Sequence, residues 1–568
     1  MLGSICRLSK AAFTPSHSLM KRKFGAISMD SHAAQHAAEA AASHRTIALT
    51  PRETQLKNLL VDVARRIDAT PAADGKTKPE PTVLRWAGGW VRDKLLGIES
   101  HDIDTAINNM TGENFAMRMA EMSRLPEVQE AHNLTKDDIG RLYTVAKNPE
   151  KSKHLETASV KLCGLDVDFV NLRKETYTDN SRNPQVEFGT AEEDALRRDA
   201  TVNALFYNLM TEKVEDFTGG LRDMEAKLIR TPLDPFQTFT DDPLRVLRLI
   251  RFASRLEFRI DEEVEAMMGD DRVLDALRLK ISRERVGIEL EKMLKGNHPC
   301  ESLRLIDRLG LYHTVFTDPA RKDMPRPDIS NWCEAYEALD TLAERKTPRS
   351  IHDVLVRSDE AAYFSWQLVA VVPYEQLPDE ESKKPGKPPI PLATQASRGG
   401  LMSPTKLTDV ITAAHRHRSA ILDLKNAVRD NAPYVSERER FGMAIRDWDF
   451  KGGHWRLQVL YALLFEVMEL TTPHARRHKS AEAAREEVFT EWQGFLDHLE
   501  NLEVMDAPAI KRLIDGTQLA KALGVKPGRW MTAALDVVMR WQLQHKGATD
   551  PAGAVEEVKA RREELGIP

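Results

Sequence analysis

The run AGGWVRDKLLGIESHDID, Ala87 to Asp104, constrains this chain more than any other stretch. An apolar segment, TVLRWAGG, leads as a strand into paired glycines; WVRDKLLG then reads as a short helix closed by Gly97, and DIDTAIN as a second strand. Successive strand side chains alternate faces, so Asp102 and Asp104 point the same way. Two carboxylates held that close repel unless a cation lies between them. Oxygen-only ligation with open positions suits Mg²⁺, which completes its shell with substrate phosphate oxygens. Gly88 and Gly89 let the backbone approach a phosphate, and the N–H groups opening the next helix, with Arg92, can bind it. The plainer alternative is a tight strand–helix connection and an exposed strand end. No GxGxxG follows the strand, as a dinucleotide fold would require.

Phosphoryl transfer by two metals needs a third carboxylate. GLDVDFVNLR offers Asp166 and Asp168 on one face of a further strand; Asp168, in the more apolar part, is the favoured ligand, and either could instead end a strand. RRDATVNALFYNL, from Arg197, brings Arg197 and Arg198 to a helix start. Its TVNALFYNL is apolar enough for a buried helix, so Asn203 is either a satisfied core amide or a site group.

In DDPLRVLRLIRFASRL, Pro243 suits the first helical position with Asp242 as N-cap. Arg245, Arg248, Arg251 and Arg255 fall within roughly 120° of arc on a helical wheel, opposite Val246, Leu249, Ile250 and Ala253. Four arginines without interleaved acids repel one another, so either an anion is expected there or the face is simply solvated.

Among 568 residues the net charge is −6, so a polyanion partner requires a local basic face. Cys6, Cys163, Cys300 and Cys333 lack CxxC spacing, which argues against a zinc site and a disulfide framework. No apolar run reaches the roughly 18 residues of a membrane span. Residues 1–29 carry five Lys or Arg, and no acid precedes Asp30, the composition of a mitochondrial transit peptide. Starts at Met20 or Met29 would shorten it and leave some product in the cytoplasm.

Residues 30–50 read as a linker. TPRETQLKNLLVDVARRI opens with a helix N-terminal signature at Thr50, Pro51 and Glu53. A head is expected over 51–235, a helical neck over 236–320, and a helical body and tail over 321–568. The Pro-, Lys- and Gly-rich segment at about 376–400 reads as a disordered insertion. TTPHARRHKSAEAAREE, from Thr471, is either a basic patch or a solvated helix face.

AGGWVRD…DID, VDFVNLR, RRDATVNALFYNL, GGLRDMEAKLIRTP, DDPLRVLRLIRFA and ISRERVGIELEKML occur in the order that resembles class II CCA-adding tRNA nucleotidyltransferases of the DNA polymerase beta superfamily. The likeness runs from about residue 83 to 295, with a weaker match in IDGTQLAKALGVKPGRWM. It implies an α+β fold: a small polymerase-beta-like head with a mixed β-sheet, then a long all-α neck, body and tail. It also implies addition of C, C and A to the tRNA 3′ end from CTP and ATP. Asp102 and Asp104 would hold Mg²⁺, with Asp168 as a further catalytic carboxylate, although other members carry Glu at that position. Gly88, Gly89, Arg92, Arg197, Asp199 and Asn203 would line the nucleotide site. Asp242, Arg245, Arg248 and Arg251 would read the base and bind the triphosphate.

Cytosine and adenine each present an exocyclic amine beside a ring-nitrogen acceptor, which an Asp acceptor and an Arg donor complement; uracil and guanine reverse the pattern. Leaving buried partners unpaired costs about 1–3 kcal/mol each, and such sites reject analogues by roughly 10⁴. The resemblance leaves room for a specialised relative (a poly(A) polymerase or a CC- or A-adding enzyme) and for an inactive RNA-binding protein on this fold. Asn109 to Thr157 is long enough for a mobile, specificity-switching loop. A monomer or weak dimer with no membrane partner is expected.

Overall fold

The computed structural model describes residues 46–70, 80–145, 157–178, 181–321, 323–381, 386, 388–450, 452, 454–476 and 478–568. The transit-peptide segment and residues 30–45 of the expected linker lie outside them. The first element is a helix, Pro51–Ala69, started as its sequence signals: Thr50 accepts from the Glu53 N–H at 3.3 Å, and Glu53 returns the bond to the Thr50 N–H at 2.7 Å.

Nine strands follow: β1 (Leu84–Ala87), β2 (Asp102–Ile107), β3 (Tyr143–Val145), β4 (Thr157–Leu162), β5 (Leu165–Asn171), β6 (Arg173–Thr178), β7 (Ser181–Phe188), β8 (Phe206–Asn208) and β9 (Lys213–Glu215). Seven of them form one mixed sheet in the order β3-β4-β5-β2-β1-β8-β9, in which only β2 and β5 run parallel. β6 and β7 form a separate hairpin. Along β2 the alternation is strict at its start: Ile103 and Thr105 are buried, Asp102 and Asp104 exposed. Ile103 and Ile107 join the large core beneath the sheet, whereas Ala106 joins a small cluster on the carboxylate face, with Ala191 and Ala195 of the helix Ala191–Leu196.

Two expectations are corrected here, and one segment is described in part. TVNALFYNL is not a helix: it makes a 3₁₀ turn, Thr201–Asn203, and then β8, because its aromatic residues pair beside β1. The stretch between β2 and β4 is largely structured, with helices Gly112–Met122 and Pro126–Ala131 and then β3; residues 146–156 lie outside the described part. The insertion at 376–400 holds a helix, Leu392–Gly399, whose Leu392, Ala393 and Ala396 are buried; the Pro- and Lys-rich part before it conceals that apolar spacing. Residues 382–385 and 387 of it lie outside the described part.

Beyond the sheet the chain is helical. A short parallel pair, β10 (Leu228–Ile229) with β11 (Arg259–Ile260), brackets the arginine-rich helix Leu244–Leu256 and ties it to the end of the sheet region. Arg230 reinforces the tie, reaching Asp223 at 3.2 Å and Asp261 at 2.9 Å. One apolar core continues from Leu56 in the first helix to Leu543, while residues 514–567 add a smaller cluster of their own. Among the described residues no helix is long and apolar enough to cross a membrane.

Candidate active site

The register of three strands builds the site. Ala87, the last residue of β1, lies opposite Asp104, and Asp104 lies opposite Asp168 of β5; Asp102 faces Asp166 in the same way. Directly opposed residues share a face. Four carboxylates therefore crowd one patch of sheet, directly beside the glycine turn. Among the described residues none of the four is tied into an ion pair. Loss of water from this setting raises the Asp102 carboxyl, and the charges of Asp168 and Asp166 raise it further. Asp104 is raised too, first by desolvation and then by Asp102, Asp168 and Asp194, against the lowering influence of Arg198.

Among the described residues no group of three or more His, Cys, Asp or Glu side chains is gathered closely enough to hold a metal ion, so Asp102, Asp104 and Asp168 do not form a ready-made three-carboxylate site. What fits instead is an open donor set: Asp102 and Asp104 on one strand face, Asp168 across from them, and mutual repulsion that a divalent cation would relieve.

The two glycines differ. Gly88 has φ 69 and ψ −127, a region essentially reserved for glycine, and its N–H donates to the Leu205 carbonyl at 3.0 Å. A Cβ there would stand 2.8 Å from Arg198 Nη1. Gly89 begins the helix Gly89–Leu95, and a Cβ on it would meet only Arg92 Nη2, at 3.6 Å.

Arg92 does not reach out from this turn. It is buried, gives Nε to Asp93 at 2.8 Å and Nη1 to the Asn203 side-chain oxygen, and lies 5.7 Å from the Phe252 ring centre. Asn203 is a satisfied amide at a junction: its side-chain oxygen accepts from Arg92 and its Nδ2 donates to Asp199 at 3.4 Å, while its backbone carbonyl accepts from Arg198 at 3.1 Å. Asp199 accepts from Arg248 Nε at 2.6 Å. Burial acts to raise the Asp199 carboxyl, yet Arg248 and Arg245 hold it down at about 2. Arg197 and Arg198 share the buried Asp194, at 2.5 and 3.0 Å, and Arg197 also meets Glu175 at 3.2 Å.

On the helix Leu244–Leu256 the arginine face is as the wheel predicts, with one shift. Pro243 is the cap and Leu244 the first helical residue; Asp242 still serves the helix start, accepting the Leu244 N–H at 3.2 Å. The expectation that this face lacks acids is overturned. Arg248 pairs with Asp199, Arg251 with Glu289 at 2.7 Å, and Arg255 with Asp93 at 3.0 Å. Arg245 Nη2 donates to the Arg197 carbonyl at 2.7 Å, and Arg285 meets Asp242 at 3.2 Å. These acids come from other elements, where a wheel of one helix cannot show them.

Asp93, Arg92, Asn203, Asp199 and Arg248 thus form one polar chain, and Arg255 of the same helix as Arg248 pairs with Asp93 at its other end. The chain binds the glycine turn to the arginine helix. Phe252 lies beneath it, with the Arg251, Arg248 and Arg92 guanidinium carbons 4.5, 5.4 and 5.7 Å from its ring centre. Side-chain exposure of 37% for Arg248 and 46% for Arg255 keeps cationic surface available to an anion. Asp93, Asp194 and Glu289 are the site residues that motif reading passes over. Glu289 could have been found, since it lies one helical turn from Arg285 in RERVGIELEKM.

The stretch from Thr471 is mixed where it is described: Thr471 and Ala484 are buried, and two of its cations are paired with acids. Lys479 pairs with Glu487 at 2.6 Å, and Arg485 with Glu334 at 3.3 Å. Arg477 lies outside the described residues.

Residues 84–230 match the family described as Poly A polymerase head domain, and residues 257–323 the one described as Probable RNA and SrmB- binding site of polymerase A. The chain is 53% identical to nucleotidyltransferase lcsQ of Purpureocillium lilacinum over 98% of its own length and 99% of that protein. It is 36% identical to the mitochondrial CCA tRNA nucleotidyltransferase of Saccharomyces cerevisiae, covering 89% of this chain and 92% of the relative. With tRNA nucleotidyltransferase cca2 of Schizosaccharomyces pombe the identity is 34%, over 92% and 99%. In fold it resembles a CCA-adding enzyme in apo form (TM-score 0.59, 21% identity, 90% and 96% covered). It also resembles the Thermotoga maritima CCA-adding enzyme complexed with tRNA (TM-score 0.56, 20% identity, 92% and 98% covered).

Proposed function

This chain belongs to the CCA tRNA nucleotidyltransferase family, and from that premise we propose that it adds C, C and A to the 3′ end of tRNA. CTP and ATP are the donors, and no nucleic-acid template is used. The tRNA 3′ hydroxyl attacks the α-phosphorus, a new phosphodiester forms, and the bond to the β-phosphate breaks to release pyrophosphate. The observation that carries this reading is the register that sets Asp104 between the glycine turn and Asp168.

Asp102 and Asp104, with Asp168 as third carboxylate, would hold Mg²⁺, which would supply positive charge where the reacting phosphate gathers negative charge. Gly88 spends its N–H on the Leu205 carbonyl, so the N–H groups of the first turn of the helix Gly89–Leu95 would meet the triphosphate, and Arg248 and Arg251 complement its charge. Arg92, Arg197, Asp199 and Asn203 act behind the nucleotide: Asn203, braced by Arg92, holds Arg198, Asp199 holds Arg248, and the Arg197 carbonyl holds Arg245. Asp242 and Arg245 read the base edge. Both are held before substrate arrives, Asp242 by Arg285 and the Leu244 N–H, Arg245 by the Arg197 carbonyl. A preset acceptor and donor select cytosine and adenine over uracil and guanine without the reorganisation that a loose side chain would need.

The test is incubation with tRNA lacking its 3′ CCA, Mg²⁺ and each NTP singly and together. Complete CCA is expected; an A-only tail would indicate the specialised relative, and RNA binding without addition an inactive one. Asp104→Ala should abolish both additions, whereas Asp242→Ala should mainly relax base choice. Relatives named as mitochondrial and the basic residues 1–29 support a mitochondrial pool. Initiation at Met29 would add a cytoplasmic one. Sequencing native N termini from cell fractions checks this, and one terminus in one compartment would refute it.

A further inference from the structure

A cleft of about 1110 Å³ opens on the far side of the helix Arg283–Leu294, away from the carboxylates. Arg285 and Glu289 of that helix face the arginine helix; Glu284, Gly287, Ile288 and Glu291 line the cleft. The opposite wall is the start of the helix Asp359–Val371, and the turn at Leu401 and Met402 closes one side. Gly287 sets the width there, since a Cβ would stand 3.0 Å from the Leu401 carbonyl. Phe364, Trp366 and Leu294 make a buried floor, while Ile288 and Met402 keep 45% and 54% of their surface exposed in the same cleft.

Its charge is one-sided. Lys295 is matched by Glu291 at 2.6 Å and lies 4.7 Å from the Tyr363 ring centre; Lys406 is matched by Glu360. Glu284 and Asp359 remain, exposed and, among the described residues, without an ion-pair partner. An RNA backbone would set phosphates against these carboxylates. A polypeptide segment with apolar anchors and flanking Lys or Arg satisfies both the exposed apolar pair and the two unmatched acids. We propose that this cleft is a docking site for a cationic, apolar-anchored peptide segment of a partner protein. Its occupant would engage the enzyme without covering the carboxylates, so addition could continue in the complex.

The full chain is tested by fluorescence anisotropy against a panel of labelled amphipathic peptides. Each carries Leu or Ile anchors at helical spacing flanked by Lys and Arg, and each has a counterpart with Glu in place of the cations. Cationic peptides are expected to bind at least about tenfold more tightly than their acidic counterparts, as two exposed charge pairs would give. Ile288→Asp and Met402→Asp should each abolish binding, and Glu284→Lys with Asp359→Lys should invert the preference, all with nucleotide addition unchanged. Failure of every peptide, equal binding of both sets, or indifference to these variants would overturn the proposal. Displacement of the peptide by tRNA would assign the cleft to RNA instead. A wild-type dimer dissociated by Ile288→Asp would assign it to a second copy.

Discussion

Replacing each glycine of the Gly88–Gly89 pair with alanine should give opposite results. Gly88 occupies φ 69, ψ −127, where a side chain costs about 1–3 kcal/mol. Its new Cβ would also displace Arg198 Nη1, 2.8 Å away, from the Asn203 carbonyl it donates to at 3.1 Å. A hydrogen bond from a charged donor is worth about 1.5–3 kcal/mol, so Gly88→Ala should cost about 2.5–6 kcal/mol in total. Gly89 is a first helical residue with an ordinary backbone, and its nearest obstacle is a movable Arg92 nitrogen at 3.6 Å. There alanine lowers the entropy of the unfolded chain, and Gly89→Ala should be neutral or stabilising by up to about 1 kcal/mol. Chemical denaturation measures the first effect; CTP incorporation on CCA-less tRNA measures a second. A triphosphate seated against the Gly89 backbone would meet the added methyl, so Gly89→Ala should lose activity while keeping stability. Equal stability of the two variants would refute the backbone argument. Full activity in Gly89→Ala would refute that phosphate seat.

The acids divide by the sign of their shift. Asp102 and Asp104 are raised on folding, which costs stability at neutral pH and nothing below the unfolded value near 3.9, so Asp102→Asn and Asp104→Asn should melt higher than wild type at pH 7.5. That gap should narrow as pH falls towards 4, and added Mg²⁺ should raise the melting temperature of wild type but not of Asp104→Asn. Asp199 is the reverse: held at about 2, it stabilises at every pH above the unfolded value, and that gain is lost only as pH falls through about 2. Asp199→Asn should therefore lose about 1–2 kcal/mol, less than a fully buried pair because Arg248 can rehydrate, with a loss constant from pH 5 to 8 in urea denaturation. Burial pushes the thiols of Cys163 and Cys333 up to about 11. Both should resist an alkylating reagent at pH 8 until the protein is unfolded.

What was legible in the sequence were features whose cause is local. The β1–glycine–helix–β2 unit, the alternation of Asp102 with Ile103, and the Thr50 cap depend on neighbours within a few residues, and each is as expected. The errors share the opposite cause. TVNALFYNL is apolar enough for a buried helix, but β1 and β9 offer its β8 segment strand partners that no local pattern reveals. Leu392–Gly399 lies after a Pro- and Lys-rich run that masks it, and its burial depends on distant helices. Arg92, expected at the phosphate, is claimed by Asp93 and by Asn203, which lies far along the chain.

The arginine face shows why such misses gather at a functional site. An isolated stripe of arginines would be mobile and mutually repelled, and its first anion would have to order every side chain it met. Here each guanidinium is already aimed by a protein acid or carbonyl, and the acids are themselves buried and braced. Arg248 illustrates the outcome: Nε is committed to Asp199, yet more than a third of the side chain stays exposed. The acids thus lower the net charge of the face while fixing its geometry. For a site that must tell two nucleobases from two others, geometry is the scarcer quantity, because Coulomb attraction to a triphosphate is the same for all four. On the proposed role of this face, specificity without a template would follow from that exchange of charge for order, and would depend on residues scattered from Asp93 to Glu289 that only the folded chain brings together.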